Sequence, residues 1–139
     1  MSAYAGIILR VVVGTIYLVQ AYLALFGSTP RGMAGYIAKV GLPAPTVLAV
    51  LVIAIHGLGG AMLVIGLWTR LAASLNAAVV LLGLLTVYLR QAVLLKGTVT
   101  DAAVGRATGA GYEYVALLAA ATVLLAVAGT GGAGGRAAK

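Results

Sequence analysis

Residues 45–70 read PTVLAVLVIAIHGLGGAMLVIGLWTR. Between positions 46 and 67 no side chain carries a fixed charge, and a helix rising about 1.5 Å per residue over that stretch crosses the roughly 30 Å hydrocarbon core of a bilayer. The ends suit such a span. Pro45 fits a first turn, where its missing N–H costs nothing, and Trp68 and Arg70 are residue types that favour the water interface. Two features exceed what an anchor needs: a lone histidine, His56, near the middle, and Gly57, Gly59, Gly60 and Gly66, small residues that let neighbouring helices approach closely.

Composition extends this reading to the whole chain. Of 139 residues, 63% are hydrophobic and 8% charged, a balance that fits an integral membrane protein and not a water-soluble domain of this size. Nine Lys and Arg against two acidic residues leave a net charge of +7. The basic residues sit mainly between apolar stretches, so they read as topology signals and headgroup contacts, and nucleic acid is not an expected partner. With no cysteine and a single histidine, disulfides, thiolate metal sites and dithiol redox chemistry are excluded and no metal site is expected.

Around the central span the chain divides into one domain, residues 1–139, with three further spans. The first, about 4–26, is apolar apart from Arg10, Thr15, Gln20 and its tyrosines; its length and Arg10 argue against a cleaved signal peptide. Arg10 either snorkels to headgroups or faces the bundle interior. Residues 27–44 hold a short amphipathic helix: Thr29 is placed to cap it, Pro30 suits its first position, Met33, Tyr36, Ile37 and Val40 share one face, and Gly41 and Pro43 end it. Such a segment lies in the interface, as a plain anchor or as a lid over one mouth of the bundle. The third span, about 71–95, follows a short connection and should pair with the second as an antiparallel hairpin. Along it Asn76, Gly83, Thr86 and Arg90 fall near one helical face. Core hydrogen bonding accounts for Asn76, Gly83 suits close helix packing, and Arg90 either snorkels or pairs with an acid. A Gly, Ala and Thr-rich loop leads to the last span, 112–128, which opens on Tyr112-Glu113-Tyr114, a carboxylate suited to a helix start between interfacial rings. A basic glycine-rich tail, 129–139, follows. The expected fold is all-α: an up-down-up-down membrane four-helix bundle with an interfacial helix between the first two spans. Basic residues fall on both sides of it, so charge sets no orientation.

Arg10 with Gly14, the Gly41-Leu42-Pro43 turn, the Gly59-Gly60 pair leading to Leu63, Gly66 and Thr69-Arg70, and Gly111-Tyr112-Glu113-Tyr114 together resemble the DoxX family of small four-helix membrane proteins. The resemblance implies the cell membrane of a bacterium or archaeon. It also implies a link to respiratory electron transfer, of the terminal quinol oxidase or thiosulfate:quinone oxidoreductase kind. The chain departs from the family's pattern at three places. His56 stands where a glutamate is usual, Gln20-Ala21-Tyr22-Leu23-Ala24 where the first span typically closes with His-Gly-x-x-Lys, and Tyr88 where a histidine is common.

Depth along the spans adds a site. Tyr17 and Gln20 from the first span, His56 from the second, Thr86 and Arg90 from the third and Glu113 at the mouth all lie toward one side. Polar side chains in lipid converge, so a half-depth polar pocket opening toward the amphipathic helix is expected. His56 there is either a neutral histidine hydrogen-bonded to Tyr17, Gln20 or Thr86, or a group that exchanges protons or bonds a quinone carbonyl. Arg90 and Glu113 are expected to approach one another at that mouth. The favoured function is an integral accessory subunit of a respiratory complex, packing against other membrane subunits and lipid through glycine-rich faces, without catalytic activity of its own. A quinone-linked oxidoreductase component and a small carrier or lipid-binding protein are the alternatives. A bound quinone or lipid is the cofactor class considered, with none intrinsic.

Overall fold

Apolar length, caps and glycines translate into five helices in the computed structural model, which describes residues 3–88 and 112–129. Helix α1, Ala3–Tyr22, runs on into a π-helical turn, Leu23–Gly27. Helix α2 spans Thr29–Lys39, α3 Pro45–Ile65, and α4 Thr69–Gly83 with a second π turn, Leu84–Tyr88; α5 covers Tyr112–Ala128. The described residues contain no strand. Three segments, Tyr4–Gly27, Pro45–Ile65 and Thr69–Thr86, are long and apolar enough to cross a membrane, and Glu113–Ala128 is a shorter apolar helix.

Local chemistry sets the boundaries. In the first turn of α2 the Gly32 N–H donates to Thr29 Oγ1 at 3.3 Å, a capping bond of the kind expected of that threonine although the helix itself begins at Thr29, and Pro30 lies in that same turn. At the end of α3 the Gly66 and Leu67 N–H groups both donate to the Met62 carbonyl at 2.9 Å. Gly66 holds φ +86° to allow this, a conformation glycine adopts without penalty. The chain then turns through Leu67 and Trp68 into α4, which starts at Thr69, two residues before the expected third span. Residues 89–95 of that span, Arg90 among them, lie outside the described residues, as does the loop to 111.

Glycine contacts give the helix directions. Arg10 lies against Gly66, Gly14 against Gly60, and Ala21 against Gly57, so numbers rise along α1 as they fall along α3 and the two run antiparallel. The contact is intimate at Gly14 and Gly60. A Cβ on Gly14 would come within 2.8 Å of the Gly60 carbonyl oxygen, and one on Gly60 within 2.9 Å of the Gly14 carbonyl oxygen, so neither position tolerates a side chain. Gly59 abuts Ala72 and Asn76 of α4, and Arg70 at the start of α4 hydrogen-bonds the Ala126 and Val127 carbonyls at the end of α5. That guanidinium also complements the negative end of the α5 dipole.

The core is built from Val13, Tyr17, Leu63, Ala72, Ala73, Val80, Leu118, Ala119 and Leu125, while large apolar side chains such as Leu58, Ile65, Leu117 and Val127 point outward and are about 70% exposed. So many large apolar side chains facing outward reverse the rule for a surface in water and suit one that faces lipid. A separate small cluster, Ala34, Ile37 and Ala49, fixes the apolar face of α2 onto α3.

Candidate functional site

Seating α2 on α3 leaves a cavity of about 450 Å³ beneath α2, bounded by α1, α3, α4 and α5. Its wall is mostly aliphatic: Met33 and Ile37 come from α2, Leu48 and Val52 from α3, Val80 from α4. Three of the polar residues singled out from the sequence line it, Gln20, His56 and Thr86. Both π turns border it, through Ala24 and Thr86; the extra residue per turn widens a helix, and such turns recur at functional sites.

The other candidates fall elsewhere. Tyr17 lies behind His56, fully buried. Its ring packs on the imidazole with centroids 4.8 Å apart, and its hydroxyl lies 2.7 Å from Thr122 Oγ1. Because Thr122 spends its own hydrogen on the Leu118 carbonyl, the Tyr17 O–H is the donor of that pair. Glu113 stands half-buried at the start of α5 and is not part of the cavity wall. Arg90 is outside the described residues, so the expected Arg90–Glu113 approach lies there too. Among the glycines, Gly59, Gly60 and Gly66 meet neighbouring atoms closely, Gly57 makes ordinary contact with Ala21, and Gly83 stands at the cavity wall with open space beside it.

The hydrogen bond of His56 differs from those expected with Tyr17, Gln20 or Thr86. Nδ1 lies 2.9 Å from Asn76 Oδ1. Thr86 instead donates to the Leu82 carbonyl of its own helix at 2.6 Å, the usual local option for a helical threonine. Asn76 is fully buried, and its Nδ2 donates to the Ala72 carbonyl at 2.9 Å. A carbonyl only accepts, so the asparagine nitrogen must face Ala72, its oxygen must face His56, and the imidazole must donate from Nδ1. Gly59 makes this possible, since the space a Cβ would fill there is occupied by the Asn76 amide. The sequence held a signal for this pair. Positions 56 and 76 lie ten residues either side of Gly66, and in an antiparallel hairpin turning there such positions come level. Thr122 carried no comparable signal, because nothing in α5 fixes its rotation relative to α1.

The imidazole therefore presents Nε2 as an acceptor. His56 is part of the cavity wall, and nothing among the described residues hydrogen-bonds Nε2, which is not sealed from open space. Thr86, its hydrogen already committed, also offers oxygen lone pairs. Gln20 brings an amide that can donate or accept. Such a site suits a flat or chain-like apolar molecule with one or two polar groups at its buried end.

Three membrane-length apolar helices, outward leucines and a lipophilic cavity define a small all-helical, multi-pass membrane protein. The chain belongs to the DoxX family, whose model matches residues 5–89. That match takes in α1 to α4 and all of the cavity wall except the residues α5 supplies. No curated protein and no solved structure matches the chain.

Proposed function

We propose that this protein is an integral subunit of a respiratory electron-transfer assembly and that its cavity holds the ring of a quinone-type lipid. The observation that carries the reading is the cavity beneath α2, with aliphatic walls and His56 at its buried side. A ring of that class matches the volume and wall chemistry, and its oxygen substituents match the few polar groups. In this arrangement α1, α3, α4 and α5 cross the cell membrane of a bacterium or archaeon up-down-up-down, and α2 lies along the interface as the lid. In this reading electrons pass to and from the bound ring through a partner membrane subunit, and this protein supplies binding and orientation.

Gly83→Leu provides the test. A Cβ there meets nothing within 4 Å, so the larger side chain enters the cavity without disturbing a helix contact. Titration of a short-tailed quinone and its reduced form into purified protein should show saturable binding by the wild type and loss of it in Gly83→Leu. Equal binding by the two proteins would place the ligand on the lipid-facing surface and end this reading.

A further inference from the structure

We propose that Asn76 makes the cavity a site for hydroxyl donors, so that it takes the reduced, dihydroxy form of a ring lipid in preference to the oxidised, carbonyl form. The inference rests on the reading of the cavity as a ring-lipid site and adds which redox form it selects. It follows from a relay that starts outside the cavity. The Ala72 carbonyl fixes the Asn76 amide, with Nδ2 donating at 2.9 Å, and Asn76 Oδ1 in turn takes the Nδ1 proton of His56 at 2.9 Å. A neutral imidazole carries one proton, so Nε2 is left with its lone pair facing the ligand.

The second fixed group points the same way, because Thr86 Oγ1 has given its hydrogen to the Leu82 carbonyl and can only accept. A hydroxyl donating to Nε2 satisfies both partners. A carbonyl in its place would bring two acceptors together and leave each unsatisfied in an apolar wall, the costly case for a buried polar group. Gln20 serves either form through its amide and so does not discriminate. Gly59 completes the device by giving the Asn76 amide its seat. Asn76 is thus a positioning residue: it is absent from the cavity wall and acts through His56.

His56 is the only histidine in the chain, so imidazole ¹⁵N spectra of histidine-labelled protein in detergent report this ring alone. The wild type should show a protonated Nδ1 and an unprotonated Nε2, with Nε2 shifting when the reduced ring lipid is added. Parallel titrations should give a dissociation constant for the reduced form roughly tenfold below that for the oxidised form, the scale of one buried hydrogen bond made or lost. In Asn76→Leu the tautomer is released and the ratio should fall toward one. An Nε2-protonated ring in the wild type, or a ratio unchanged by Asn76→Leu, would overturn the proposal; the first needs no variant to fold. If both forms bind the wild type equally, the donor preference falls and the cavity reading stands. If neither binds, the cavity reading falls and takes the preference with it.

Discussion

The Tyr17–Thr122 hydrogen bond offers a test of the core in which two nearly isosteric changes should have unequal effects. Both residues are fully buried, their oxygens lie 2.7 Å apart, and the Thr122 hydrogen is held by the Leu118 carbonyl. Thr122→Val leaves the Tyr17 hydroxyl as a buried donor with no acceptor, which costs about 1–3 kcal/mol. Tyr17→Phe removes the donor but leaves Thr122 bonded to Leu118, so only the net value of one interhelical hydrogen bond is lost, about 0.6 kcal/mol in membrane helices. The double variant removes both polar groups and should be more stable than Thr122→Val alone. Reversible unfolding in mixed detergent, followed by circular dichroism, measures all three. If Thr122→Val proves no worse than Tyr17→Phe, or if the two effects simply add, the assignment of Tyr17 as donor to α5 is wrong.

Other outcomes follow from the same contacts. Gly60→Ala places a Cβ against the Gly14 carbonyl and the Leu18 N–H and should destabilise the α1–α3 pair by several kcal/mol, about the upper range for single changes, whereas Gly35→Ala, with nothing within 4 Å, should stabilise α2 by up to about 1 kcal/mol; thermal unfolding in detergent ranks them. Arg70→Met withdraws the 2.9 Å bond to the Val127 carbonyl and should fray the end of α5, read as faster amide exchange there without change in α1. Because the chain has no cysteine, single cysteines at position 35 and between residues 96 and 111 can be labelled cleanly. Both should react from the same side of the membrane, and opposite sides would refute the up-down-up-down arrangement.

Most of the helical layout was readable in the sequence because apolar length, caps and breakers are local. The expected first span, 4–26, appears as Tyr4–Gly27, the amphipathic helix appears as Thr29–Lys39, and where the last span is expected there is an apolar helix, Tyr112–Ala128, shorter than the three membrane-length segments. The expected third span begins two residues after the observed start of α4 because Trp68 and Arg70 read as interface residues; Arg70 sits inside the helix with its guanidinium on the α5 carbonyls, a contact no local pattern announces. At the site, the convergence of Gln20, His56 and Thr86 under α2 was foreshadowed by their depth along the spans. Depth says nothing of rotation about each helix axis. That is why Tyr17, a level neighbour of His56, proved to stack on its ring and bond to Thr122, and why Asn76, assigned to core hydrogen bonding in general, proved to be the histidine's particular partner. The π turns at Leu23–Gly27 and Leu84–Tyr88 left no mark in the hydrophobic pattern, since each is only 5 residues long.

The occupancy of the cavity is the claim on which the functional account depends, and it is measured most directly by what the protein carries out of its own membrane. Wild type and Gly83→Leu would be purified identically from native membrane, and ring lipid per mole of protein quantified by extraction and mass spectrometry. The account predicts close to one ring lipid per wild-type chain and a small residue in Gly83→Leu, with the same partner subunits retained by both. Equal ring-lipid content in the two proteins, or none in either, would contradict it.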